Sequence, residues 1–243
     1  MSASDIDYYF DPVCPFCWMT SKWIRLVIAQ RDYTVDWRFI SLRLINAEVD
    51  YDAQFPPEYE AGHTAGLRLL RVFARVRAEH GRGAVGPLYE AVGGRIFDSE
   101  PSAKDGTADR GHHGSRSFVE PILVEVGLPA ELVAALDDTS YDVELRAETD
   151  EALSLTGKDV GTPIIHFEPP DGVAFFGPVI SRLPSEADAG PLWDHVLGLA
   201  AFPGFAELKR SMRELPQLRS LGVQEGEVGV QEDWHGGSRR QHR

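Results

Sequence analysis

Sulfur is scarce in this chain. Its 243 residues include two cysteines, Cys14 and Cys17, three positions apart in the stretch "FDPVCPFCWMTSKW", residues 10–23. Basic residues are also short, with 24 Lys and Arg against 38 Asp and Glu and a formal net charge of −14. The acidic side chains are spread along the chain, so phosphate backbones and anionic bilayer surfaces are repelled and neither nucleic acid nor membrane is an expected partner. No segment approaches the roughly 20 apolar residues needed to cross a bilayer. The N-terminus "MSASDIDYYF" has neither a basic start nor a long apolar run, so no secretory signal is read there and a cytoplasmic location is the expectation. In that compartment thiol pools keep cysteines reduced, and a merely structural disulfide is not expected. No internal repeat is present.

A hydrophobic fraction of 43% supports a substantial core, and the length suits a core domain carrying a large insertion. Ile6, Tyr8 and Phe10 alternate with Asp7, Tyr9 and Asp11, which predicts a short strand. A helix is expected from about Cys14 to Gln30, with Met19, Trp23, Leu26 and Val27 on one buried face and Pro15 in the first turn, where its missing N–H costs nothing. "TVDWRFISL", 34–42, reads as a second strand. Residues 56–157 are read as a helical block interrupted by a polar, mobile loop at 99–115. "PIIHF" and "VAFFG" around "EPPDG" predict a β-hairpin. Ser185 and Asp188 predict a capping box, and a further helix is expected around "FAELKRSM".

This order is the thioredoxin arrangement. The expected fold is α/β, thioredoxin-like with a large all-helical insertion as in DsbA. Its first part would span 1–55, the insertion 56–157, the second part 158–215 and a disordered tail 216–243.

Three uses of the cysteine pair compete. A structural zinc site needs four ligands, and none of the eight histidines forms an H-x₃₋₅-H pair, so no metal is expected. Filling a core is poorly served by CxxC spacing at a helix start. Redox chemistry has a direct basis, because unpaired N–H groups and the positive end of the helix dipole stabilise an anion at the first turn. Cys14 sits there as the expected nucleophile, its pKa lowered from about 8.5. Cys17 is placed one turn later to resolve a mixed disulfide. Thr162 and Pro163 precede the third strand, the place where thioredoxin-like folds carry a cis-proline against the CxxC. Asp11 is read as a turn residue ahead of Pro12, with shuttling a proton or raising the thiolate pKa as the alternatives. Phe16 is a candidate for lining the entrance. Trp18 and Trp193 are read as core, His63 as a solvated helix position, and His112 and His113 as inert loop residues.

"FDPVCPFCWMTSKW", "DVGTPIIHF", "GVAFFGPVISRLP" and "FAELKRSMRELPQ" together resemble the actinobacterial mycothiol-dependent nitroreductases, a branch of the DsbA-like thioredoxin superfamily, over about residues 5–218. The resemblance implies Cys14 as nucleophile, Cys17 as resolving thiol, and Pro15, Phe16, Thr162 and Pro163 as contacts of the bound thiol. It also implies mycothiol as the reductant and a disulfide or nitroaromatic compound as the oxidant, handled by a monomer or homodimer. Phe16 departs from the tryptophan that the family commonly carries between its cysteines, and the smaller ring alters which aromatic substrates dock. The Gly-rich loop at 100–116 and the tail after Pro216 are further departures. No glycine-rich fingerprint follows a strand, so neither a flavin nor a nicotinamide site is expected. The rival readings are a thiol-dependent isomerase or transferase of aromatic compounds, a DsbA-like dithiol oxidase, and a non-catalytic chaperone. The isomerase relatives typically carry serine where Cys14 stands.

Overall fold

The computed structural model describes residues 4–54, 58–100, 110–157, 159–209, 212–224, 226–229 and 231–233, with backbone alone for 212, 213 and 231–233. Strand β1 (Ile6–Phe10) lies between β2 (Val35–Phe39) and β3 (Ile164–Phe167), and β4 (Val173–Phe176) forms the far edge. β1 and β2 are parallel and are joined by helix α1 (Pro15–Ile28); β3 runs antiparallel to both β1 and β4. The hairpin feeds helix α8 (Glu186–Ala200), which packs beside α1. A β-α-β half and a β-β-α half thus share one sheet, and the fold is thioredoxin-like.

Helices α2 (Leu42–Ile45), α3 (Tyr51–Gln54), α4 (Glu58–His80), α5 (Val85–Phe97), α6 (Arg116–Glu125) and α7 (Asp142–Thr156) all fall between β2 and β3. They form a helical insertion whose interior is continuous with that of the sheet. Phe10 of β1 stacks on Tyr89 of α5 with ring centroids 3.8 Å apart, and Phe73 of α4 meets Phe10 edge-on at 5.6 Å. Trp18 of α1 is buried directly beneath Gly93 of α5, where a Cβ would come within 2.2 Å of the indole ring. A side chain at Gly93 would push the insertion off α1.

Alternation along β1 predicts one dry face and one wet one, yet all five residues are buried. Ile6, Tyr8 and Phe10 join the main core, and Tyr9 packs in a second cluster with Ala152 and Leu153 of α7. Helix α7 covers the face that alternation assigns to solvent. Asp7 is buried there because Arg38 reaches it at 3.2 Å while also binding Glu148 at 2.9 Å and Glu151 at 2.7 Å. Arg77 of α4 completes the group with a 3.0 Å contact to Glu148.

Several local expectations are corrected. Residues 205–209 of "FAELKRSM" have no regular structure, and Met212–Glu214 forms strand β5, paired antiparallel with β6 (Gln231–Asp233). The tail after Pro216 is not structureless throughout. Gln217 N donates to Ser181 O at 2.7 Å, and Leu218 and Val223 are buried at 1% and 7% exposure. Two isolated apolar anchors suffice to dock this segment without any helical periodicity. Residues 234–243 lie outside the described residues. So do 101–109 of the 99–115 loop, whose end at Arg110–Gly114 forms a 3₁₀ turn that includes His112 and His113. Among the described residues no helix is long and apolar enough to cross a membrane, and no cluster of potential metal ligands occurs.

Candidate active site

Sheet register brings the two sequence motifs together. Tyr9 of β1 is paired with Ile164 of β3 in antiparallel sense, so the residues before β3 lie beside those after β1. The first group is Thr162 and Pro163, joined by a cis peptide bond; the second is the turn that opens α1. β2 ends on the other side of that turn, and Ile40 N donates to Phe10 O at 3.2 Å. The site therefore forms beyond the carboxyl ends of the two parallel strands.

Cys14 is the N-cap of α1, and Pro15 follows in the first turn. A cap side chain ordinarily offers oxygen to an unpaired N–H of the first turn. Here the acceptor is sulfur, and Cys17 N donates to Cys14 Sγ at 3.4 Å. Thr162 Oγ1 donates to the same sulfur at 3.1 Å, and Thr162 O faces it at 4.0 Å. Both cysteines are buried free thiols. Burial works against an anion at Cys14. Hydrogen bonds from the Cys17 thiol, the Thr162 hydroxyl and the Cys17 amide outweigh it, so the pKa of Cys14 is lowered. Burial also acts on Cys17, where proximity to Cys14 reinforces it and the pKa is raised well above that of an ordinary thiol. One sulfur is ready to ionise and its neighbour holds its proton. Phe16 and Pro15 are half-buried at the same helix start, and Phe16 packs against the core.

Asp11 corrects the expectation of a simple turn residue. Its Oδ1 accepts from Val13 N at 3.0 Å, which is the turn role, but its Oδ2 accepts from Leu42 N at 2.8 Å and the residue is fully buried. Burial pushes its carboxyl up to about 7, against the opposing pull of those two amides. The acid-then-Pro pattern signals a turn; nothing local in the sequence signals that α4 covers it. Alternation makes Tyr8 a strand residue and gives no sign that its hydroxyl donates to Cys17 O at 2.7 Å, pinning the first turn of α1 to the sheet. His63 is not a solvated helix position. It is half-buried, its Nδ1 lies 2.9 Å from the Tyr51 hydroxyl, and burial together with Arg110 and Arg43 lowers its pKa to about 4. Trp18 and Trp193 are core residues as expected.

The family model described as Rv2466c-like, mycothiol-dependent nitroreductase Rv2466c, matches residues 13–210. This chain belongs to that family. The match begins one residue before Cys14 and runs past Pro163, so it contains both halves of the site. Membership of the Rv2466c-like family marks the chain as a thiol-linked oxidoreductase. An uncharacterized protein of Mycobacterium tuberculosis, Rv2286c, is 32% identical over 212 residues, covering 84% of this chain and 81% of that protein. A probable DsbA oxidoreductase of Streptomyces coelicolor aligns in structure over 89% of this chain and 98% of its own, with 16% identity and a TM-score of 0.49.

Proposed function

We propose that this Rv2466c-like protein is a cytoplasmic thiol–disulfide oxidoreductase that draws electrons from mycothiol and passes them to disulfides or nitroaromatic compounds through Cys14 and Cys17. The observation that carries the proposal is Cys14 Sγ at the cap of α1, receiving N–H and O–H donors at 3.4 and 3.1 Å, with the buried free thiol of Cys17 one turn away. The family's name supports mycothiol as the donor.

With a disulfide RSSR, the Cys14 thiolate attacks one sulfur, a Cys14–SR bond forms and RS⁻ leaves. Cys17 then loses its proton, attacks the Cys14 sulfur and expels the second RS⁻. Two mycothiol molecules restore the dithiol by the same exchange in reverse and leave as mycothiol disulfide. One turnover thus moves two electrons. Pro15, Phe16, Thr162 and Pro163 contact the bound thiol in this reading, with the carbonyl of Thr162 turned toward the reacting sulfur.

The test is mycothiol-linked turnover of a chromogenic disulfide and of a nitro compound by the parent protein, Cys14→Ser and Cys17→Ser. The Cys14 variant is expected to lose at least about a hundredfold of both activities, consistent with removal of the nucleophile. Full turnover by that variant contradicts the reading.

A further inference from the structure

Cations are the minority charge in this chain, 24 against 38. Two of them are nevertheless gathered about His63, close to the CxxC turn. We propose that Arg43 and Arg110 receive the carboxylate of the substrate, so that the oxidant reduced at Cys14 is a carboxylate-bearing disulfide or nitroaromatic compound. This names a substrate class for the redox reading above and rests on it.

One face of α4 sets the two cations in place. Tyr59, Gly62, His63 and Gly66 follow one another at helical spacing and share that face. Gly66 sits against the CxxC turn, where a Cβ would stand 2.7 Å from Asp11 Oδ1 and 2.8 Å from Val13 Cγ2. Gly62, four residues earlier and about 6 Å back along the axis, sits against Arg110. A Cβ at Gly62 would lie 3.4 Å from Arg110 Cβ and Cδ. Arg43 arrives from α2, next to Leu42, whose amide donates to Asp11 Oδ2. The two cations are disposed alike about His63. Arg43 lies over the Tyr51 ring and Arg110 over the Tyr59 ring, each with its guanidinium carbon 5.0 Å from the centroid. Tyr51 and Tyr59 in turn meet the His63 ring edge-on, both at 5.7 Å. Tyr51 is buried, whereas Arg43, Tyr59, His63 and Arg110 keep part of their surface open to solvent.

Local charge favours an anion here. Among the described residues the ion-pair partner of Arg43 is the exposed Glu60, 3.4 Å away, and Arg110 has none. Both guanidiniums act on His63 and, together with burial, hold its pKa near 4, so the imidazole is neutral at neutral pH. Buried Asp11 lies beneath the CxxC turn, and the partly open cations lie about one helical turn away from it. That order orients an acidic substrate, its carboxylate toward the guanidiniums and its reducible end toward Cys14. An arginine fork takes a carboxylate through paired N–H donors, and a tyrosine ring beside it gives an aromatic acid a surface to lie on. Stacking on tyrosine also orders each fork before a ligand arrives, which lowers the entropy cost of binding.

Two chromogenic disulfides test this: dithiobis-nitrobenzoate, which carries two carboxylates, and dithiodipyridine, which carries none. The quantity read is the rate at which reduced protein releases the first coloured product from each, and the ratio of the dianion's rate to the neutral compound's. With Arg43→Gln and Arg110→Gln combined, that ratio should fall by about ten- to a hundredfold, because hydrogen bonds to a charged group are lost. An unchanged ratio overturns the proposal. Salt supplies a test on the unaltered protein. A body of net charge −14 repels a dianion, and screening that repulsion speeds the reaction as salt is added. Capture by Arg43 and Arg110 predicts the opposite sign, a dianion rate that falls with salt relative to the neutral disulfide. A relative rate that rises or stays level overturns the proposal. Failure of the underlying redox reading looks different. Release from both disulfides would then survive Cys14→Ser, whereas failure of this proposal alone leaves both dependent on Cys14.

Discussion

Two carboxylates are buried in this fold and meet opposite electrostatic company. Glu148 of α7 receives Arg38 at 2.9 Å, Arg77 at 3.0 Å and the Phe39 amide at 3.3 Å. Asp11 receives two amides and, among the described residues, no cation. Among the described residues the Glu148 group joins β1, β2, α4 and α7 through charges that satisfy one another, which fixes how the insertion sits on the sheet. Burial pushes the Asp11 carboxyl up to about 7, against the pull of its two amides. A matched buried acid is costly to unpair, and an unmatched one has its pKa raised by burial.

The largest effect should come from breaking the matched site. Glu148→Ala leaves Arg38 and Arg77 partly uncompensated at side-chain exposures of 15% and 8%, and removing one partner of a buried pair costs about 3–5 kcal/mol. Denaturant unfolding should show a loss near the lower end of that range, since Asp7, Glu151 and Glu144 remain. The thiolate titration of Cys14 should not move. A loss below about 1 kcal/mol would remove the network from any role in docking the insertion.

A smaller effect is expected at the unmatched site, and it carries a sign. The carboxyl of Asp11 rises from 3.8 unfolded to about 7 folded, so the native state holds its proton longer than the unfolded chain does. Its contribution to stability is therefore full at low pH and is lost as pH climbs from about 4 through 7, by on the order of 2–4 kcal/mol. His63 acts in the opposite sense. Its pKa falls from 6.5 to about 4, so its contribution is lost as pH drops through that interval. The two partly cancel in the parent protein. Stability curves of the parent and Asp11→Asn, compared across about pH 4 to 7, should converge toward acid and diverge toward neutral, the variant gaining relative to the parent. Parallel curves would mean that Asp11 is ionised throughout.

The same contrast explains what could be read from the sequence. The CxxC turn and its Thr-Pro neighbour were legible because their signals are local: alternation in Ile6–Phe10, two cysteines at helix-start spacing, and a Thr-Pro step before a strand. Register then does the rest, since pairing Tyr9 with Ile164 brings Thr162 to Cys14. Polar residues whose partners lie far away in the chain were not legible. Helix α7 has no clean apolar stripe because Glu148 and Thr149 are buried with polar partners, Thr149 Oγ1 accepting from Ser41 N at 3.1 Å. Nor does local sequence tell that Gly66 will seat on Asp11, or that Tyr51 will meet His63. Strands of three residues such as β5 and β6 are too short to leave a periodic signal in the sequence.

The account depends on an ionised sulfur at the start of α1. Following thiolate ultraviolet absorbance of the reduced protein against pH, in the parent and in Thr162→Val, tests this most directly. The first ionisation should have its midpoint below the ordinary thiol value of about 8.5. It should move up by about one unit when the hydroxyl donor is removed, since a hydrogen bond to a charged group contributes about 1.5–3 kcal/mol. A parent midpoint at or above that ordinary value, unchanged by Thr162→Val, contradicts it.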